Sequence, residues 1–279
     1  MTRHGGGSVF FLTDYGHADE FAGVVRAVVQ RCAPGAPLVD LAHDVAPFDV
    51  RAGALMLQRA VPHLGPGVVL AVVDPGVGTD RRAVVASVPA AGGGPRYFVG
   101  PDNGLLAWAV DGSGGPEQLV VLPPAVPRAG GATFDGRDLF APAAARLWSG
   151  SAPEDLGDLT DPGSLVRLAP PLLAVSPGVV EAEVLWVDRF GNVQLSARPD
   201  DTSAAGLGTT VEVVTAGGVR PARWVRAFGA LGHDDLGVVH DANGHVALAC
   251  DRRPAATVLG VRPGDVVTLR MPRTASGRP

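Results

Sequence analysis

The sequence has no lysine. Its 23 basic residues are all arginine, set against 28 acidic residues for a formal net charge of -5. No arginine-rich block stands out, which argues against a nucleic-acid surface and against a polybasic membrane patch. The missing lysine accompanies an excess of Ala, Gly, Pro and Val, and it speaks of genome composition, not of chemistry. There is no apolar run near the ~20 residues that span a bilayer. The opening stretch, Met1 to Ser8, is Gly-rich and lacks the apolar centre of a signal peptide. A soluble, cytoplasmic protein is therefore expected. Two cysteines occur, Cys32 and Cys250, and neither lies in a C-x-x-C or Cys/His cluster. A zinc site is not expected, and both cysteines are read as small buried hydrophobes. Neither G-x-G-x-x-G nor a P-loop sequence is present, so a dinucleotide or triphosphate would lack its phosphate cradle.

What is present is a chain of 279 residues, 46% hydrophobic, long enough for one large domain or two smaller ones. Its centre is the run Val68-Val69-Leu70-Ala71-Val72-Val73, which is apolar without alternation and ends abruptly in Asp74-Pro75-Gly76-Val77-Gly78-Thr79-Asp80-Arg81-Arg82. Such a run predicts a strand buried on both faces, as in a parallel sheet. Ligands of open α/β sheets bind beyond the carboxyl ends of the strands, so Asp74 stands at a candidate ligand edge. The glycines permit close approach of backbone N–H groups, and Arg81 or Arg82 is near enough in sequence to fold back onto Asp74.

Around this run the pattern alternates. Val9 to Leu12 is a short strand, and a helix follows with Asp19 as N-cap and Phe21, Val24, Val25, Val28 and Val29 on one face. Leu38 to Leu41 is a second strand. Asp49 caps a helix running through Val61, with Leu55 and Leu57 among its apolar positions. Ala83 to Val88 and Tyr97 to Val99 are strands separated by a Gly-rich turn. Helices follow at Leu105–Ala109 and at Leu139 to about Trp148, with a Pro/Gly-rich loop at Ala125–Gly131 between them. This alternation indicates a mostly parallel α/β sheet. The proline-bearing stretch Pro153–Pro177 reads as a linker. After it come Val-rich strands at Val179–Val187, Thr210–Val214, Gly237–His240, Val246–Ala249 and Val266–Leu269, which suggest a small barrel or sandwich.

Four strand ends of the first half carry the same punctuation: Asp14, His43-Asp44, Asp74 and Asp102-Asn103. Each alone suits a cap or turn; together at one sheet edge they suit a ligand. Carboxylates there fit ribose hydroxyls and equally Mg²⁺, as in a phosphohydrolase. The absent phosphate cradle favours a nucleoside without phosphates. His17 and His43 are open between ligand contact and a solvated loop position.

Five stretches occur in order: Phe11-Leu12-Thr13-Asp14-Tyr15-Gly16, Asp74-Pro75-Gly76-Val77-Gly78, Pro101-Asp102-Asn103-Gly104-Leu105-Leu106, Thr133-Phe134-Asp135-Gly136-Arg137-Asp138 and Asp188-Arg189-Phe190-Gly191-Asn192. With these, the chain resembles the S-adenosyl-L-methionine (SAM) hydroxide adenosyltransferases, the adenosine-forming SAM hydrolases related to fluorinase and chlorinase. The resemblance runs from about Val9 to Leu269. It implies an α/β N-terminal domain, taken as 8–165, and a smaller antiparallel β-barrel domain, taken as 166–273. It implies a homotrimer with inter-subunit active sites, SAM as substrate, no cofactor, no metal, and no nucleic-acid or membrane partner. The implied reaction is attack of water or hydroxide on the ribose C5′, giving adenosine and L-methionine.

By the same resemblance Asp14 grips the ribose hydroxyls, and Asp19, with Asp188 as second candidate, meets the methionine amino group. Phe48 stands beside the ribose, and Gly136 belongs to the substrate site. Asn192 reads the adenine and Phe190 stacks on it. The segment Asp241–Gly244 matches the part that holds the methionine carboxylate; it carries Ala242-Asn243 where halogenases have Ser-Arg, leaving backbone N–H groups and Asn243. The family's catalytic set is Asp-Arg-His. Asp74 and Arg81 match its first two members, and Asp135 stands in the place of the histidine. Two carboxylates in one small site repel, raising the pKa of one, and Arg81 offsets this by bridging both. They also oppose halide, so neutral water is the expected nucleophile. The alternative implied by Asp135 is a SAM- or adenosine-binding protein with weak or lost catalysis.

Overall fold

The computed structural model describes residues 7–89, 94–124, 131–232 and 235–272. The Gly-rich turn after Pro89 and all but the last residue of the Ala125–Gly131 loop lie outside these. The chain divides into two compact units, Met1–Leu168 and Ala169–Pro279, each with its own apolar core.

The first unit is built from β1 (Ser8–Thr13), α1 (Phe21–Cys32), β2 (Leu38–Ala42), α2 (Val50–Ala60), β3 (Gly67–Val72), β4 (Ala83–Pro89), β5 (Pro95–Pro101), α3 (Ala107–Gly112), β6 (Gln118–Leu122), α4 (Ala141–Trp148) and β7 (Asp158–Thr160). Its sheet runs β2-β1-β3-β5-β4-β6-β7. The pairs β1–β2, β1–β3 and β3–β5 are parallel, and β4, β6 and β7 join antiparallel. Every residue of β3 is buried, as its unbroken apolar run requires. Val9, Phe11, Leu70 and Val72 meet α1 and α4 on one face. Successive strand residues point to opposite faces, so the equally buried Phe10, Leu12, Val69 and Ala71 face the other side, where α2 packs with α3. The chain leaves β1 toward β2 and returns past β1 to β3. The carboxyl ends of β1 and β3 therefore flank the point where strand order reverses, the usual crevice for a ligand.

Several local readings change. The N-cap of α1 is Glu20, without a side-chain bond, and not Asp19. Phe21 is exposed and Val24 half-buried, so the buried stripe is Ala22, Val25, Val28 and Val29. Asp49 does cap α2, accepting a hydrogen bond from the Ala52 N–H at 2.9 Å. The stretch read as a linker is structured: β7 closes the edge of the first sheet. Cys32 is exposed and Cys250 half-buried, so neither is the buried small hydrophobe expected; Cys32 keeps the helical spacing of Val25, Val28 and Val29 but is the last residue of α1.

The second unit contains β8 (Leu173–Ser176), β9 (Val179–Val187), β10 (Val193–Leu195), α5 (Pro199–Ala204), β11 (Thr210–Thr215), β12 (Gly218–Trp224), β13 (Leu236–His240), β14 (Val246–Cys250), α6 (Ala255–Leu259) and β15 (Val266–Arg270). The order β10-β14-β13-β12-β11-β15-β9 closes on itself through a β9–β10 pairing, and β8 lies outside on β9. The result is a closed seven-stranded barrel, antiparallel except for β12 beside β13. Inward residues such as Val180, Val184, Val211, Val213, Leu248 and Leu269 fill it.

Candidate active site

The end of β3 is followed by turns that return the chain on itself. The Val77 N–H donates to Asp74 O, the Thr79 N–H to Gly76 O, and the Arg81 N–H to Thr79 Oγ1. They swing the Arg81 side chain back to Asp74. Arg81 Nε donates to Asp74 Oδ1 at 3.1 Å and Nη2 to Asp74 Oδ2 at 2.5 Å. The same Nη2 donates to Asp135 Oδ2 at 2.8 Å. One guanidinium thus bridges two carboxylates, with only 6% and 16% of their side chains exposed. The bidentate fork fits a planar guanidinium, which also lies over the Phe140 ring at 5.5 Å.

Asp135 reaches this place because the segment before it runs against the Asp74 loop. A Cβ on Gly78, whose φ is +76°, would come within 2.8 Å of Ala132 O, so only glycine permits the approach. Asp135 then opens a π-helical turn, Gly136–Phe140, that leads into α4; such turns recur at functional sites.

Burial raises the pKa of Asp74, the Arg81 charge and hydrogen bonds lower it, and the Asp135 charge raises it again; the net direction is upward.

A cleft of about 260 Å³ opens over this set, lined by Asp14, Tyr15, Phe21, Pro47, Phe48, Val72, Asp74, Val77 and Thr133 to Gly136. Asp14 accepts the Phe48 N–H at 2.9 Å on one carboxylate oxygen. Phe48 has φ of +67°, a strained region for a side chain of this size, and the residue is 71% exposed. Such outliers collect where a group is held for use. Tyr15, quoted in the sequence motif without a role, is brought into the cleft. Its ring packs against Phe21 and Phe134 with centroids 5.9 and 5.7 Å apart. The signal that could have found it is a polar aromatic directly after the strand-end aspartate.

Other sequence candidates lie elsewhere. Asp19 is exposed before α1 and is not part of the cleft lining. Asp102 and Asn103 turn inward: Asp102 pairs with Arg82 and accepts the Val166 N–H at 2.8 Å, while Asn103 donates to Val73 O at 2.9 Å. Both hold loops in place at the strand end. Arg137 is held by Asp138 at 2.7 and 2.8 Å and lies over Phe134. His43 is buried under the loop. Its Nδ1 contacts Thr13 Oγ1 at 2.8 Å, and its Nε2 lies 3.1 Å from Asp40, off-line for a hydrogen bond. The Gly16 N–H donates to His43 O at 2.7 Å. His43 therefore supports the loop bearing Asp14 and Tyr15. His17 is exposed, 3.7 Å from Asp44.

In the second unit Asp188 accepts the N–H groups of Phe190 and Asn192 on Oδ1 and the Asn192 amide on Oδ2, at 2.7 to 2.9 Å. Phe190 is 77% exposed. Asp241 repeats the device: its Oδ1 accepts the N–H groups of Asn243 and His245, and Gln194 donates to its Oδ2. The Asn243 and His245 backbone donors are thereby engaged within their own turn, which narrows their use as anion donors. Among the described residues no cluster of three or more His, Cys, Asp or Glu suits a metal ion, and no helix is long and apolar enough to cross a membrane.

Residues 9–157 match the family model described as SAM hydroxide adenosyltransferase N-terminal domain, and residues 182–268 match the corresponding C-terminal domain. A curated relative from Salinispora tropica, named (R)-S-adenosyl-L-methionine hydrolase, is 44% identical over 92% of this chain and 95% of its own length. One of the same name from Thermus thermophilus is 43% identical over 94% and 98%. The crystal structure of an uncharacterized conserved protein from Thermotoga maritima superposes with a TM-score of 0.85 at 33% identity, covering 94% of this chain and 99% of that one. Two matched domains in order, and relatives of this identity along nearly the whole length, make the chain a member of the SAM hydroxide adenosyltransferase family.

Proposed function

We propose that this chain hydrolyses SAM at the ribose C5′, releasing adenosine and L-methionine. The observation that carries the reading is the Asp74–Arg81–Asp135 set buried at the floor of a cleft that Asp14 also lines. A sulfonium is already a good leaving group. The enzyme has chiefly to hold water in line with the C5′–S bond and to accept one proton. Asp74 and Asp135 supply the acceptors, and Asp14 is placed for the ribose hydroxyls, with Phe48 beside it. Asp74 has its carboxylate basicity raised by burial, the direction a general base near neutral pH needs.

SAM is the substrate; no cofactor is required. The roles of Asp19, Asp188, Phe190, Asn192 and Asn243 in holding the methionine and adenine ends belong to the same proposal. So do a homotrimer with sites completed between subunits, a cytoplasmic location and the lack of nucleic-acid partners. The binder reading, in which Asp135 abolishes catalysis, draws no support from relatives named as hydrolases. Their name also specifies the (R) sulfonium epimer, and this chain is expected to share that preference.

The test is incubation with each SAM epimer in metal-free buffer, followed by chromatography for adenosine and methionine. Stoichiometric adenosine and methionine, lost in Asp74→Asn, are expected. A product of 5′-halo-5′-deoxyadenosine in chloride or fluoride, or no adenosine from either epimer, would sink the reading.

A further inference from the structure

We propose that Tyr15 is a further catalytic residue of this site, its phenol O–H donating to the attacking water. The inference rests on the hydrolase reading. Tyr15 follows the ribose-facing Asp14, and its N–H bonds Thr13 Oγ1 at 3.3 Å, tying it to the His43-supported loop. Phe134 meets the ring edge-on and Phe21 packs against it at a tilt. The hydroxyl arrives against Gly136: a Cβ there would stand 2.2 Å from Tyr15 Oη. Gly136 and Asp135 both line the cleft. Glycine is thus the residue that makes room for this hydroxyl beside Asp135, a reason for Gly136 independent of any substrate contact.

The hydroxyl donates to no protein acceptor among the described residues, although the charges of Asp14, Asp74 and Asp135 act on it. Burial first, then the charges of Asp14, Asp74 and Asp135, push its pKa up, so it stays a neutral donor. Asp74 and Asp135 are acceptors, and Arg81 is spent on holding them. A water in the cleft has two protons and two lone pairs. Its protons suit the two carboxylates. Without a donor, its two lone pairs are equivalent and neither is set aside for C5′. A Tyr15 O–H on one lone pair leaves the other for C5′. As the O–C5′ bond forms, the C5′–S bond breaks and its electron pair stays on the methionine sulfur. One water proton passes to a carboxylate, and the other becomes the 5′-hydroxyl proton of adenosine.

Tyr15→Phe keeps the ring contacts and deletes this one donor. The kcat for adenosine release should fall about 10- to 100-fold, while KM for SAM and the adenosine Kd by calorimetry stay within about threefold. The melting temperature should hold, because no protein hydrogen bond is lost. Gly136→Ala, which pushes the hydroxyl aside, should reproduce the kcat loss. Wild-type kcat in Tyr15→Phe overturns the inference and leaves the hydrolase reading intact. A loss confined to adenosine affinity also overturns it, since Tyr15 would then be a ribose contact. A wild-type protein that releases no adenosine overturns both.

Discussion

Replacing Arg81 with glutamine tests the bridge at the heart of the site. The side chain removed is 9% exposed and is bonded to two carboxylates, themselves largely buried. Removing one partner of a buried ion pair costs about 3–5 kcal/mol, because the other charge is left uncompensated. For a unit of this size a kcal/mol moves the midpoint by about 2–4 °C, so the first unit should melt roughly 6–20 °C lower near pH 8. The sign of the pH dependence follows from Asp74. Burial and Asp135 raise its pKa, and Arg81 is the cause that lowers it; without Arg81 it rises further. The folded state then binds a proton more tightly than the unfolded chain does. Stability consequently falls as pH rises from the ordinary carboxylate range through the folded pKa, and levels off above it. The penalty in Arg81→Gln should therefore be largest at pH 8 and shrink toward pH 5. Calorimetry or urea unfolding across that range measures it. A penalty of equal size at pH 5 and pH 8 would refute the claim that the two carboxylates depend on this one cation.

Asp102→Asn should cost about 2–4 kcal/mol in urea unfolding, since its side chain is wholly buried against Arg82 and the Val166 N–H, and kcat/KM at low temperature should be retained. A loss of activity without a loss of stability would return Asp102 to the site. Phe48→Gly relieves a left-handed backbone at φ +67° and should gain about 0.5–1 kcal/mol while raising KM for SAM, the two being read by thermal melts and initial rates. EDTA should leave adenosine release unchanged, because both oxygens of Asp74 and one of Asp135 already accept from Arg81; inactivation restored by Mg²⁺ would argue for the metal reading of these carboxylates.

Much of the frame was legible because it rests on burial. The unbroken apolar run before Asp74 needs both faces covered, and β3 is buried throughout. The turn residues between Asp74 and Arg81 allow the return that the arginine makes. Asp49 as a cap is a local matter of one side chain and one N–H. Illegible features depended on distant partners. Asp102 and Asp74 look alike at the ends of strands, but Arg82 and Val166 turn the first inward. The three residues of β7 are too few to show a period, and pairing with β6 alone makes them a strand. Tyr15 carries no local mark beyond its place in the Phe11–Gly16 motif, because the space for its hydroxyl is made by Gly136, over 100 residues on.

The bridged triad also has a consequence for the charge inventory of the site. With both carboxylates ionised, the Asp74–Arg81–Asp135 set carries one net negative charge, and a SAM sulfonium carries one positive. This set and the sulfonium then balance each other, apart from the Asp14 carboxylate that lines the same cleft. On the proposed mechanism, when the C5′–S bond breaks, the positive charge leaves sulfur and reappears as a proton on a carboxylate. The net charge of this set and the substrate is unchanged across the chemical step, because the positive charge moves from the sulfur to the carboxylate as the bond is cut. Between turnovers it is the loss of that proton to solvent, not the departure of adenosine, that restores the attraction for the next sulfonium.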